Sequence, residues 1–143
     1  MTCAFFGHKD APASIKPLLE NAIRNLIEVE AYDEFLVGNQ GKFDAMVYSA
    51  LHKLRTEYPE IRFYVVLAYM PNGKNVHETY DHTETIYPEG LESVPKRFAI
   101  MHRNRWMIKN ANAVICYISH SWGGACQAVS LAERKKLKIV NLA

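Results

Sequence analysis

The run Ser119-His120-Ser121-Trp122-Gly123-Gly124 is the part of this chain best suited to holding an anion. It follows an apolar stretch, Ala113 to Ile118, and precedes a helical one. A glycine pair at such a junction lets main-chain N–H groups approach an anion at the positive end of the coming helix. Ser119 and Ser121 add hydroxyl donors, and the alternative is a tight turn with no ligand. Arg103 lies on the helix that feeds this strand, with Trp106 and Met107 three and four residues on, so the three are expected on one face. Arg103 would pair with a phosphate through its fork of donors, and Trp106 would pack beside a base or sugar. The plain alternative is a surface arginine over a core tryptophan. Gly7, His8 and Lys9 follow the first apolar run and offer donors for a phosphate or a ribose hydroxyl. Gly38, Gln40 and Gly41 make a second glycine turn at a helix start. Asp44 stands close behind it, either complementing the helix dipole or accepting from ribose hydroxyls or turn amides.

Acid–base chemistry has fewer candidates. Asp44, Glu78 and Asp81 are the acids placed to serve it, the last two in a loop. The stretch His77-Glu78-Thr79-Tyr80-Asp81-His82 has its histidines five apart, not at the His-Glu-x-x-His spacing that sets two imidazoles one helical turn apart. No metal site is expected. Ser119-His120-Ser121 holds nucleophile and base types, but neighbours in a turn seldom face one another, and triads are defined by spatial geometry.

The elements that position these residues alternate. Residues 2–6 read as a strand. A helix follows, with Ser14 as expected N-cap, Pro17 in its first turn, and Ile15, Leu18, Leu19, Ala22, Ile23, Leu26 and Ile27 on one face. Residues 34–37 read as a strand, about 42–58 as a helix ended by Pro59, and 61–69 as a buried strand. Residues 70–95 break the rhythm with three prolines and two glycines, though 83–87 could add a short strand. Then come a basic helix over 96–110, a strand over 113–118, a helix over 125–136 and a strand over 137–142. Such alternation predicts one α/β domain over residues 1–143, with a mostly parallel sheet of about five strands covered on both faces. Ligands then bind beyond the carboxyl ends of the strands, near the switch in strand order. That rule selects residues 7–9, 38–44, 69–72 and 119–124.

Composition agrees with a globular chain: 143 residues, 49% hydrophobic and 22% charged. No stretch reaches the roughly 18 apolar residues of a membrane span. The N-terminus reads as a first strand rather than a secretory leader. Cys3, Cys116 and Cys126 are too few and too scattered for a disulfide framework or a zinc site, which suits a reduced, cytoplasmic protein. The net charge of +2 conceals an asymmetry: residues 1–60 carry nine acids and six bases, residues 91–143 two acids and nine bases. With a pI near 8.4, this suits a local basic pocket for one or two phosphates better than a nucleic-acid surface.

Three segments together resemble the SLOG superfamily, which includes the DprA-type DNA-processing proteins and the Lonely Guy phosphoribohydrolases. Cys3-Ala4-Phe5-Phe6-Gly7-His8-Lys9 is similar to the strand-Gly-His-basic opening of its small bacterial YpsA-like branch. Gly38-Asn39-Gln40-Gly41-Lys42-Phe43-Asp44 resembles its glycine-rich second turn with a following acid. Met101 to Gly124 resembles the Lonely Guy pattern, with Arg103 and Met107 at the matching helix positions and Gly123-Gly124 at the turn. The likeness spans the chain except roughly residues 70–95. It implies a Rossmann-like three-layer fold, a nucleotide or phosphosugar ligand, and a homodimer. The Lonely Guy proline, third glycine, threonine and catalytic glutamate have no counterpart in Trp122-Gly123-Gly124-Ala125-Cys126-Gln127-Ala128-Val129-Ser130, and Glu133 lies three residues past Ser130. The resemblance therefore carries phosphate binding, not phosphoribohydrolase chemistry.

The expectation is a sensor or regulatory module that binds a nucleotide-like ligand and requires no cofactor. The alternative is hydrolysis or transfer at the N-glycosidic bond of a nucleoside monophosphate. DprA-like DNA binding ranks third.

Overall fold

The computed structural model describes residues 1–70 and 84–143. Six strands form one parallel sheet: β1 (Thr2–Gly7), β2 (Glu34–Val37), β3 (Arg62–Val66), β4 (Thr85–Ile86), β5 (Ala113–Tyr117) and β6 (Lys138–Asn141). Their order is β4-β3-β2-β1-β5-β6. The short strand anticipated near residue 85 pairs in parallel with β3, so the sheet has six strands rather than five. Strand order reverses at β1, which lies between β2 and β5. Among the described residues, four helices cover the sheet: α1 (Lys16–Glu28), α2 (Gly41–Glu57), α3 (Ala99–Lys109) and α4 (Gly124–Arg134).

Alternation along the strands divides the core in two, because successive side chains leave a strand on opposite faces. Cys3, Phe5, Phe35, Val37, Phe63 and Val65 point to one side, where Leu19, Ile23 and Leu26 of α1 and Phe43, Val47 and Leu51 of α2 meet them. Ala4, Phe6, Leu36, Val66, Val114 and Cys116 point to the other, under Met107 and Ile108 of α3 and Ala128, Val129 and Ala132 of α4. Burial on both faces is why these strands read as near-continuous apolar runs. Burial also pushes the Cys116 thiol up to about 12 and the Cys3 thiol further, so both are inert.

Two local departures have simple causes. Ser14 makes no cap; it sits in a 3-10 turn, residues 13–15, whose Ile15 N–H bonds the Pro12 carbonyl and whose Ile15 side chain is buried. Helix α1 starts only at Lys16, with Pro17 in its first turn. The basic helix likewise begins as a 3-10 turn over residues 96–98 and becomes α-helical at Ala99. Glu84 is buried just before β4 and is held by Arg55 at 2.9 Å and the Tyr48 hydroxyl at 3.0 Å.

Candidate functional site

The carboxyl ends of β1, β2 and β5 open into a hollow of about 320 Å³ at the reversal of strand order. Its walls come from four places. The β1 end supplies Gly7, His8, Lys9 and Asp10; the β2 end and α2 supply Gly38, Gln40 and Asp44. Helix α3 supplies Ile100, Arg103, Asn104 and Met107, and the β5–α4 turn supplies His120, Trp122, Gly123 and Gly124.

The α4 end of the hollow is open. Gly123 has φ +99°, a conformation that favours glycine, and serves as N-cap without any side-chain cap bond. Among the described residues, the N–H groups of Gly124, Ala125 and Cys126 have no main-chain partner; the first bond of the helix is Gln127 N–H to the Gly123 carbonyl. A Cβ built on Gly123 or Gly124 would meet nothing within 4 Å. Free donors, helix dipole and empty space therefore coincide.

The α2 end is closed. Asp44 Oδ2 accepts the Gln40 N–H at 2.8 Å, so the helix turns its own carboxylate onto its N-terminus. Burial pushes the Asp44 carboxyl up to about 6, opposed by the Gln40 amide bond and by the nearby Arg103 guanidinium. Arg103 is itself 4% exposed. Its Nη1 donates to the Val66 carbonyl at 3.1 Å and its Nε to Asn104 Oδ1 at 2.9 Å. Burial lowers its affinity for its proton and Asp44 acts against that. Gly38 permits this packing: a Cβ there would stand 2.6 Å from Arg103 Nη1 and 2.9 Å from Asp44 Oδ2. Gly7 permits another, since its Cβ would fall 2.3 Å from the buried Phe43 ring.

Three rings stack at the mouth. His8 and His120 lie 3.5 Å apart between centroids at 12°, and His120 and Trp122 lie 3.8 Å apart at 21°. The His120 N–H points to His8 Nε2 at 3.4 Å. Burial lowers the His8 pKa, the adjacent His120 lowers it further, and Asp10 opposes both. His8 is therefore held neutral to lower pH than a free imidazole.

The hollow thus gathers Gly7, His8, Lys9, Gly38, Gln40, Asp44, Arg103, Gly123 and Gly124. Arg103 does not sit at the glycine turn; it lies on the floor, bonded to the backbone of β3. Gly41 is outside the lining and packs its φ +91° backbone against Lys9. Trp106 does not share the hollow with Arg103 and Met107. Met107 is one helical turn from Arg103, whereas Trp106 falls on the other side of that stripe and packs against the β5-side core. Ser119 is exposed and outside the lining, and Ser121 turns to a neighbouring groove between α3 and α4. Glu78, Asp81 and the His77–His82 stretch lie outside the described residues. Among the described residues no three metal-binding side chains converge.

The strand-end rule took in His120 and Trp122 within residues 119–124 but gave neither a role, and it passed over Asn104 and Asp10 as hollow-lining residues. For Trp122 a signal existed: a large aromatic in a polar turn beside a glycine pair has no core to enter.

The comparisons with known proteins agree with this architecture. The chain superposes on DNA processing protein A from Streptococcus pneumoniae with a TM-score of 0.70 at 15% identity, over 98% of this chain and 49% of that one. For the same protein from Helicobacter pylori, described for its single-stranded DNA binding mode, the TM-score is 0.68 at 14% identity, over 99% and 64%. The molybdenum cofactor carrier protein of Chlamydomonas reinhardtii gives 0.55 at 14%, over 98% and 75%. The chain thus spans about half of the pneumococcal protein and under two thirds of the Helicobacter one. These likenesses establish the fold. No curated protein matches the sequence. No helix among the described residues is long and apolar enough to cross a membrane. A profile of the family described as YspA SLOG matches residues 2–136, nearly the whole chain, and the protein belongs to this YpsA-type SLOG family.

Proposed function

We propose that this protein binds a nucleotide or nucleotide-derived small molecule in the hollow, as a sensor or regulatory module. The observation that carries the reading is the uncapped α4 N-terminus, whose free amides and empty surroundings at Gly123-Gly124 suit a phosphate. His8, Lys9 and Gln40 line the same hollow and offer donors to a sugar. Arg103 acts from the floor: its Nη2 has no partner among the described residues, and its charge raises the potential of the hollow. A hollow of about 320 Å³ is at the small end of ligand sites and suits one nucleotide. Such binding needs no resident cofactor, and we place the protein in the cytoplasm, where nucleotides are found.

Gly124→Pro tests this reading. Proline is well tolerated at the first position of a helix and deletes one of the proposed phosphate donors. AMP should raise the thermal midpoint of the wild type by mass action and raise that of Gly124→Pro much less. An equal rise in both would refute the site.

One observation favours a second reading. The Asp44 carboxyl, pushed up to about 6, lines the same hollow and is suited to proton transfer near neutral pH. An N-glycosidic hydrolase or transferase would use such a group to activate water or support an oxocarbenium-like state. Incubation with nucleoside monophosphates should then release free base, and Asp44→Asn should abolish the release. The DNA-processing neighbours suggest a different outcome: steeply salt-dependent affinity for single-stranded DNA without AMP binding would favour DNA.

A further inference from the structure

Trp122 is 68% exposed, the second most exposed large hydrophobic residue among those described, yet it is not a loose side chain. Its ring is the outer member of the stack that runs inward through His120 to the buried His8. Among the described residues, His120 is its ring partner, so one face is supported and the other carries no ring, and the residue lines the hollow. The residue next in the chain is Gly123, the N-cap of α4. A flat, apolar, pre-ordered surface thus stands beside the anion-receptive amides. Aromatic side chains bind bases through their faces, and a ring already held in place loses little freedom on doing so.

Resting on the reading above, we propose that Trp122 is the base platform of this site, so that the ligand is a phosphate ester carrying a planar base rather than a bare phosphosugar. The base stacks on the free face of Trp122 while the phosphate meets the Gly124 and Ala125 amides. The three-ring stack fixes the indole, and His8, held neutral in the protein interior, anchors the stack without adding a buried charge. The role foreseen for Trp106 falls to Trp122, because Trp106 is half-buried against the β5-side core and outside the hollow.

The test is calorimetric titration of wild type, Trp122→Ala and Trp122→Phe with AMP and with ribose 5-phosphate. Wild type should bind AMP more tightly than ribose 5-phosphate by roughly ten- to a hundred-fold. Trp122→Ala should lose that advantage while its affinity for ribose 5-phosphate stays the same, and Trp122→Phe should keep part of it. In a Trp106→Phe background the remaining indole is Trp122, and AMP, not ribose 5-phosphate, should quench its fluorescence. Equal wild-type affinities for the two ligands, or an AMP affinity untouched in Trp122→Ala, overturns the platform and leaves the phosphate site standing. Binding of neither ligand to the wild type overturns both.

Discussion

Two helix N-termini face each other across the same rim, and they have opposite fates. Helix α2 folds Asp44 back onto the N–H of its N-cap residue Gln40 and sets that carboxyl beside Arg103 in a crowded, buried corner. Helix α4 begins in open space behind Gly123, with no side chain bonded to its first amides. Both ends carry the same partial positive charge. The α2 end is answered from within the chain at the Gln40 and Lys42 N–H groups, and the α4 end is the one the proposed reading assigns to an external anion. On the proposed reading, a glycine turn before a helix serves a phosphate only where the chain does not answer the helix itself.

Substitutions on the closed side should cost stability, and those on the open side should cost binding. Gly7→Ala should have the largest effect. Its Cβ would enter the buried Phe43 ring, so destabilisation should reach or exceed ~3 kcal/mol, measured by urea unfolding. Asp44→Asn should act through pH. The carboxyl is raised from 3.8 to about 6, so the folded state holds the proton more tightly than the unfolded. Its contribution is fully present below pH ~3.8 and lost as pH rises through about 6. Stability of Asp44→Asn relative to wild type should therefore improve by about 2 kcal/mol between pH 4 and pH 7. A pH-independent difference would mean that Asp44 titrates normally.

Gly38→Ala should come next, at about 1–3 kcal/mol, because Arg103 is bonded in place and cannot easily withdraw. On the open side, Gly124→Ala should stabilise by up to about 1 kcal/mol, since its Cβ meets nothing and its φ is ordinary for a helix. Ser119→Ala should be the smallest, within about 0.5 kcal/mol and without effect on AMP affinity, since Ser119 is exposed and outside the hollow. Losing AMP binding with Ser119→Ala would move the site out onto the turn.

Much of this arrangement was legible in the residues. The apolar runs at 2–6, 34–37 and 113–118 announce strands buried on both faces, and their alternation with amphipathic stretches leads to a parallel sheet and a site at its carboxyl rim. The glycine pair and Arg103 both reach that rim. What sequence hides is the direction of side chains. Arg103 reads as a free phosphate ligand, because nothing in its neighbours shows that Val66, thirty-seven residues earlier, offers a carbonyl. Trp106 reads as a partner of Arg103, because helical spacing gives a shared face only to within about half a turn. The stack of His8 on His120 joins residues 112 apart, which no local pattern reveals. Conversely, the local turn chemistry of Asp44 is within reach of sequence, since an acid three residues past a glycine turn often bonds the turn's own amides.

The contrast between the two helix ends is open to direct observation by amide ¹H–¹⁵N NMR during titration with AMP. The Gly124, Ala125 and Cys126 resonances should move with ligand and saturate together, while those of Gly41, Lys42 and Phe43 at the head of α2 stay nearly still. Saturable shifts at α2 with α4 unmoved, or no saturable shift at either end, would contradict the assignment of the anion site to Gly123-Gly124.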